Sequence, residues 1–231
     1  MTTTMSLSVP HIMVIDPGVK TPEIDTFNNI ASLSPIPCSY HLPALHGFDS
    51  FPSGIDAVRG VIILGSAASV HDNLPWQRPL EDWLRPVIEL GIPVLGCCYG
   101  HQMLAYMLGG TVGYVNDERA KLKGVRRVQI LQNDLIPSGE CRLIVTHAEM
   151  VTGLPANTKI LARSDEIAID GFVHENKPVF GFQSHPEATH VFLKGHEMLD
   201  DHALGSLSDG HDIIRRFVHK AANIKAKNSF R

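Results

Sequence analysis

The sequence predicts a single α/β domain in which helices cover a mostly parallel β-sheet, with a small antiparallel extension. In the first half of the chain, short runs of apolar residues, typical of strands buried on both faces, alternate with amphipathic segments. Beyond Gly110 the pattern changes to short strand-like runs separated by turns, which is typical of antiparallel strands. Of the 231 residues 44% are hydrophobic, and neither a repeat nor a clear linker interrupts them. We therefore expect one domain over residues 8–224.

The elements of the first half follow from hydrophobic spacing. Continuous apolar runs predict strands at residues 11–16, 60–65 and 92–96. Apolar residues at helical spacing predict helices at residues 20–33 and 76–90 and a third helix that runs through Met103, Leu104, Met107 and Leu108. Prolines end the first of these helices and the Gly109-Gly110 pair ends the third. The proline- and glycine-rich stretch that continues to Gly54 is expected to be irregular.

The second half is predicted to hold short strands and one terminal helix. The strand-like runs are residues 125–131, 142–145, 159–163, 167–172 and 179–182. Helical spacing predicts a helix over residues 209–222. Residues 1–7 and the basic segment 225–231 are expected to be flexible termini.

Composition limits the classes of function. A net charge of −4 and an isoelectric point near 6.3 argue against nucleic-acid binding. No apolar run approaches the roughly 20 residues that cross a bilayer, and the first residues lack the pattern of a signal peptide, so we expect no membrane partner and a cytoplasmic location. The four cysteines are too scattered for a disulfide framework. The thirteen histidines lack the close spacing of metal ligands, so neither a metal nor another cofactor is expected.

The most informative motif surrounds Cys98, which lies in a Gly-x-Cys-x-Gly sequence where a predicted strand meets a predicted helix. This is the cysteine counterpart of the Gly-x-Ser-x-Gly nucleophile elbow. The flanking glycines permit a sharp turn at which larger side chains would collide with the neighbouring strand and helix. The N–H groups and the dipole of the following helix favour a thiolate and a developing oxyanion. We expect Cys98 to be a nucleophile and Cys97 to be a small buried residue.

A cysteine nucleophile needs a base and a group that orients the base. His185 follows the predicted strand 179–182, at a strand end where catalytic groups gather on such sheets, and Glu187 lies two residues further on. An alternative interpretation takes His185-Pro186-Glu187 as the start of a helix, with proline in the first turn and glutamate beside the terminal amides. Taken alone, the segment fits both interpretations equally. Together with Cys98, the catalytic one is favoured.

The motifs Gly96-x-Cys98-x-Gly100-x-Gln102 and His185-Pro186-Glu187 resemble those of the class I glutamine amidotransferases, which use a Cys-His-Glu triad. The resemblance covers roughly residues 60–190 and implies a flavodoxin-like sheet. It implies that Cys98 attacks the side-chain amide of glutamine to form a γ-glutamyl thioester. It also implies that His185 takes the thiol proton and then protonates the departing ammonia, that Glu187 orients the imidazole, and that water releases glutamate.

The same resemblance implies which residues stabilise and bind the substrate. The backbone N–H of Tyr99 and the loop at Ser66 would form the oxyanion hole. Ser66 stands where the family has a second glycine, which places a side chain where positive φ would be strained. Gln102, and with it Ala148 and Glu149, would contact the glutamine substrate. The alternative for Gln102 is a helix-capping or exposed side chain.

Three hypotheses of function remain open from the sequence. Members of this family pass ammonia to a synthetase, and the chain shows no P-loop or other nucleotide signature, so the first is a free-standing glutaminase that supplies ammonia to a separate acceptor subunit. The second is a γ-glutamyl peptide hydrolase or transpeptidase that uses the same thioester. The third is a non-catalytic regulatory homologue, which an intact triad argues against. The segment 189–210 is interpreted either as a partner-docking surface or as a lid.

Overall fold

Residues 9–224 are described by a computed structural model. The predictions for segments 1–7 and 225–231 fall outside the described residues, and the domain boundaries at residues 8 and 224 stay a prediction. The strands are β1 (His11–Ile15), β2 (Cys38–His41), β3 (Val58–Ile63), β4 (Val94–Cys97), β5 (Thr111–Tyr114), β6 (Leu122–Ile130), β7 (Gly139–His147), β8 (Glu149–Gly153), β9 (Thr158–Arg163), β10 (Gly171–His174) and β11 (Val179–Phe182). The helices are α1 (Ile24–Leu33), α2 (Pro43–His46), α3 (Gln77–Glu89), α4 (Tyr99–Met107), α5 (His190–Gly195) and α6 (Asp201–Ala222).

A nine-stranded mixed sheet runs in the order β2-β1-β3-β4-β11-β10-β9-β6-β7. The strands from β2 to β11 are parallel to one another. From β11 onward each strand is antiparallel to its neighbour. Strands β5 and β8 form a separate antiparallel pair. The predicted α/β class with a small antiparallel extension is confirmed, and the antiparallel strands β10, β9, β6 and β7 continue the main sheet beyond β11.

Apolar cores lie on both faces of the sheet, and β1 contributes to each of them. Ile12 and Val14 belong to the core that α1 and α6 cover, whereas Met13 and Ile15 belong to the core under α3 and α4. Successive side chains of a strand point to opposite faces, so a strand buried on both sides must be apolar throughout. This is why the parallel strands β1, β3, β4 and β11 were recognisable from unbroken apolar runs.

The structure differs from the predicted elements in several places. Strand β2 and helix α2 lie in the stretch expected to be irregular; β2 is a four-residue edge strand without an apolar run, so the sequence contains no strand signal there. Strands β5 and β8 and helix α5 were also not predicted, and the predicted strand at 167–172 begins only at Gly171.

Helix α6 begins at Asp201 instead of residue 209, because a polar cap starts it earlier than its apolar spacing suggests. The side chain of Asp200 accepts a hydrogen bond from the backbone N–H of Ala203 at 2.7 Å. An N-cap aspartate of this kind stabilises a helix by about 1 kcal/mol.

Three buried histidines make the folded state sensitive to acid. Burial lowers the pKa of His41 to about 4, and neighbouring His11 lowers it further in the same direction. Burial, with the charge of a second histidine nearby, lowers the pKa of His101 to about 3. Burial and the charge of Arg126 lower the pKa of His147 to about 4. All three therefore stay neutral in the folded protein at pH values where an unfolded histidine is protonated.

We expect the free energy of unfolding to respond to acid through these groups. Below a pH of about 6.5 the unfolded chain binds protons that the folded chain does not, so each histidine removes about 1.4 kcal/mol of stability per pH unit until its folded pKa is reached. The measurement is the urea midpoint from about pH 7 to about pH 5. Glutamine at position 41 can replace the hydrogen bonds of His41 to Ser39 and Ser50, so His41→Gln should lose less stability on acidification. An identical acid response in wild type and His41→Gln would contradict this account.

Candidate active site

Cys98 lies at a strained turn between β4 and α4. Its backbone has φ 49° and ψ −102°, which is unusual for a residue with a side chain. Its N–H donates a hydrogen bond to the carbonyl oxygen of Phe182 at 2.8 Å, which fixes the turn to the end of β11. The side chain is only 5% exposed. This is the geometry of a nucleophile elbow.

Close backbone contacts explain the glycines that surround Cys98. A Cβ atom at Gly96 would lie 2.4 Å from the backbone of Gly100. A Cβ atom at Gly100 would lie 2.3 Å from the carbonyl oxygen of Ile63 in β3. A Cβ atom at Gly65 would lie 2.6 Å from Cε1 of His185. Side chains at these positions would therefore displace α4, β3 or the imidazole.

His185 follows β11 and is held from two sides. Its Nδ1 lies 2.8 Å from Oε1 of Glu187, and its backbone N–H donates to the carbonyl oxygen of Ile144 in β7 at 2.7 Å. Both side chains of the His185–Glu187 pair are at least 95% buried. Because Nδ1 faces Glu187, Nε2 lies on the opposite edge of the ring, and it has no hydrogen-bond partner among the described residues.

The charge of the imidazole depends on its neighbours. Burial alone lowers the pKa of His185, but the interactions with Cys98 and with the Glu187 carboxylate outweigh burial and raise it well above its usual value. The protonated imidazole is therefore favoured by its neighbours Cys98 and Glu187. Such an arrangement supports a thiolate–imidazolium pair.

Two cavities meet at Cys98. The first, which we call the His185 cavity, has a volume of about 240 Å³ and is lined by the β1–α1 loop, His185 and Glu187. The second, the Gln102 cavity, has a volume of about 270 Å³ and is lined by Gln102 and by residues 146–149. Both cavities share Ser66, Ala67, Cys98, Lys121 and Thr146. Cys98 thus borders both cavities.

The residues expected to bind substrate lie together in the Gln102 cavity. Gln102 is 4% exposed, so it is buried instead of exposed, and its Nε2 donates to the backbone oxygen of Glu149 at 2.8 Å and to Oε1 of Gln183 at 3.2 Å. The side chain of Glu149 accepts a hydrogen bond from Ser69 at 2.9 Å. Ala148 lies between Glu149 and the end of β7 on the same wall. Gln102 therefore holds the wall of the cavity in place.

The two expected oxyanion donors lie near Cys98, because Tyr99 follows it in the chain and Ser66 lines the same two cavities. Tyr99 is the first residue of α4, so its N–H has no acceptor within the helix. Ser66 lies in the loop after β3, and its hydroxyl donates to the carbonyl oxygen of Pro17 at 2.8 Å while accepting from the N–H of Ala68 at 3.1 Å. Ser66 is not one of the described non-glycine residues with positive φ, so the strain expected from serine is absent there.

Sequence reasoning missed several residues of the His185 cavity, of which Lys20, Glu23 and Lys121 carry charge. Glu23 belongs to the loop that follows β1, the first parallel strand. The carboxyl ends of neighbouring parallel strands meet at one edge of a sheet, so the residues of this loop are candidates for the functional site. Lys121 precedes β6 in a turn-rich segment that gave no such signal.

Within residues 9–224 no helix combines the length and apolar character needed to span a bilayer. The same residues hold no cluster of three or more His, Cys, Asp or Glu side chains arranged for a metal ion.

Comparisons with known structures agree with the fold. A glutamine amidotransferase from Thermotoga maritima has a TM-score of 0.75 at 18% sequence identity, covering 93% of this chain and 99% of that one. A glutamine amidotransferase from Methylobacillus flagellatus has a TM-score of 0.74 at 18% identity, covering 97% and 99% of the two chains. At such low identity these similarities show the fold alone.

Sequence comparisons show the family. The chain is 36% identical over 160 residues to a subunit of the glutamine-hydrolyzing GMP synthase of Pyrococcus abyssi, covering 68% of this chain and 73% of that protein. It is also 36% identical over 149 residues to the GMP synthase of Aquifex aeolicus, but the match spans only 28% of that longer protein. The sequence profile described as glutamine amidotransferase class-I matches residues 48–205, well over half of the chain. The chain belongs to the class I glutamine amidotransferase family.

Proposed function

We propose that the protein hydrolyses the side-chain amide of glutamine and supplies the ammonia to a separate acceptor subunit of the GMP synthase type. The observation that carries this proposal is the strained Cys98 elbow, which shares a cavity with the hydrogen-bonded pair of His185 and Glu187. The choice of acceptor rests on the relatives, which are named as glutamine-hydrolyzing GMP synthases or as one subunit of such an enzyme.

In the proposed mechanism Cys98 attacks the carbonyl carbon of the glutamine side chain. His185 holds the thiol proton, because its raised pKa favours the imidazolium beside the thiolate. Nε2 then gives that proton to the amide nitrogen, the C–N bond breaks, and ammonia leaves a γ-glutamyl thioester on Cys98. Water attacks the thioester, Nε2 takes a proton from it, and glutamate leaves as the C–S bond breaks. Glu187 holds the imidazole in position throughout.

We place the glutamyl part of the substrate in the Gln102 cavity. Gln102 holds the backbone around Glu149, so the amide groups of Ala148 and Glu149 are fixed where the α-amino and carboxylate groups of glutamine can bind. The N–H of Tyr99 and the backbone of Ser66 would stabilise the oxyanion, each at about 3 kcal/mol. The hydrogen bond of Ser66 to Pro17 supports that loop before substrate arrives.

The relatives do not favour the other two hypotheses. Their names describe glutamine-hydrolyzing synthases, which fits neither a γ-glutamyl peptide hydrolase nor a non-catalytic homologue. A cytoplasmic location, the absence of a cofactor and the absence of a nucleic-acid partner remain predictions.

The direct test is to incubate the purified protein with glutamine and to quantify glutamate and ammonia, with and without a GMP synthase acceptor subunit. We expect glutamate release in both cases and a higher rate with the acceptor subunit. γ-Glutamyl peptides serve as the comparison substrate. Release of glutamate from the peptides only, or no release under any condition, would contradict the proposal.

Two glycines of α6 provide a matched test of how Pro186 positions the triad. Pro186 is the residue between His185 and Glu187, and a Cβ atom at Gly210 would lie 2.6 Å from its carbonyl oxygen. A Cβ atom at Gly205 would have nothing within 4 Å. We expect Gly210→Ala to reduce kcat at least tenfold (about 1.4 kcal/mol) and to destabilise the protein by about 1–3 kcal/mol.

Gly205→Ala should leave kcat unchanged and stabilise the protein by up to about 1 kcal/mol, because alanine is the better helix former. Steady-state kinetics and thermal unfolding of both variants provide the comparison. Equal behaviour of the two variants would show that the contact between α6 and Pro186 does not position the triad.

A further inference from the structure

The residues expected to bind substrate and the residues expected to transfer protons line different cavities at Cys98. Gln102, Ala148 and Glu149 line only the Gln102 cavity, whereas His185 and Glu187 line only the His185 cavity. If the glutamyl part of the substrate occupies the first, the scissile amide nitrogen points toward the second.

The proposed chemistry requires a small-molecule position next to Nε2 of His185. The departing ammonia takes its proton from this nitrogen, and the water that attacks the thioester gives its proton to the same nitrogen. Ammonia and water must therefore occupy one position in turn. Nε2 makes no hydrogen bond among the described residues and the ring is 95% buried, so once Cys98 carries the thioester this nitrogen is free to bind ammonia or water.

Glu23 supplies a carboxyl group to the same cavity. It is the residue before α1, but its side chain does not cap the helix; its hydrogen bond is a long one, at 3.5 Å, from the hydroxyl of Thr26. Burial, then the charges of Asp16 and Glu187, raise the pKa of Glu23, while His185 acts in the opposite direction. The carboxyl group is thus electrostatically coupled to both His185 and Glu187.

Hydrogen bonds to neighbouring residues hold the loop that contains Glu23 in place. Asp16 is fully buried, and its carboxylate accepts hydrogen bonds from the N–H of Gly18 at 2.8 Å, from the N–H of Glu23 at 2.7 Å and from the hydroxyl of Tyr40. The carbonyl oxygen of Pro17 accepts the hydrogen bond from Ser66. These hydrogen bonds fix the position of Glu23 and connect its loop to the expected oxyanion loop at Ser66.

We propose that Glu23 is a further catalytic residue, which accepts a hydrogen bond from the departing ammonia and then from the water that replaces it in the His185 cavity. This proposal rests on the proposed glutamine hydrolysis. Glu23 exchanges no proton in either step: His185 gives one proton to nitrogen and later recovers one from water. By accepting the second hydrogen bond, Glu23 directs the lone pair of the water toward the thioester carbon.

The test compares Glu23→Gln with Asp25→Asn. Asp25 is an exposed acid in the first turn of α1 that does not line the cavity, so its variant removes the same charge from the same helix end. For Glu23→Gln we expect kcat for glutamate release to fall about tenfold, as for loss of one charge-assisted hydrogen bond, with KM for glutamine changed less than about twofold. Asp25→Asn should match wild type in both constants.

A second readout separates chemistry from structure. A chloroketone analogue of glutamine alkylates Cys98 with chloride as the leaving group, so its reaction needs neither ammonia departure nor attack by water. Glu23→Gln should be labelled at the wild-type rate. The proposal is overturned if Glu23→Gln retains wild-type kcat, if its labelling slows as much as kcat, or if Asp25→Asn loses as much. If the wild-type protein releases no glutamate with the acceptor subunit, the result contradicts the proposed glutamine hydrolysis itself.

Discussion

Replacing Cys98 with alanine is expected to abolish glutamate release from glutamine, because no thioester can form without the sulfur. The loss should exceed about a thousandfold, as is typical when the nucleophile of a catalytic triad is removed. Cys98→Ser should also be inactive, since His185 is arranged to stabilise a thiolate and a serine hydroxyl ionises far less readily. Steady-state release of glutamate by each variant measures the effect.

Cys97 provides the control in the neighbouring position. It is fully buried, and burial followed by the charge of Glu187 raises the pKa of its thiol well above the usual value, so it stays neutral and unreactive. Cys97→Ala should retain most of the activity. Comparable losses in the Cys97 and Cys98 variants would mean that the nucleophile is wrongly assigned.

Gly100→Ala is expected to prevent correct folding of the elbow. Helix propensity alone predicts that alanine at this position in α4 stabilises the protein by about 1 kcal/mol. The structure predicts the opposite, because the new Cβ atom would lie 2.3 Å from the backbone oxygen of Ile63 and 2.9 Å from its Cβ atom. Overpacking against a backbone that cannot move should cost about 3 kcal/mol or more and should also displace Cys98.

The measurement is the thermal unfolding midpoint and the soluble yield of Gly100→Ala. The matched control is Gly195→Ala at the end of α5, where a Cβ atom would meet nothing within 4 Å. The control should unfold like the wild type. A Gly100→Ala protein as stable and as active as wild type would show that α4 can move away from β3 without consequence.

The elements nearest the candidate site were the most predictable from sequence. Strand β11 was predicted with its observed bounds, because a strand buried on both faces must be continuously apolar. The elbow was predictable because its glycines are required by contacts that any side chain would violate. By contrast, β2 lies at the sheet edge with three of its four residues only half-buried, so neither burial nor alternation marks it in the sequence.

The division of the site into two cavities could not be predicted in this way. It depends on where the β1–α1 loop lies relative to His185, and these segments are far apart in sequence. Glu23 shows the difficulty: nothing about a glutamate after Pro22 distinguishes a cavity residue from an ordinary residue at a helix start. The buried Asp16, which accepts hydrogen bonds from the backbone of both Gly18 and Glu23, and the hydrogen bond from Ser66 to Pro17 fix the loop over the cavity.

The places of β4 and β11 within the sheet have a consequence for local unfolding. Each of these strands is hydrogen-bonded on both sides, whereas β2 and β7 form the edges. Amide hydrogens in such central strands exchange with solvent only when the whole domain opens, while edge strands fray at far lower free energy. Fluctuations that release β2 therefore leave the sulfur and the imidazole together, whereas release of β7 would break the hydrogen bond between the N–H of His185 and the carbonyl oxygen of Ile144.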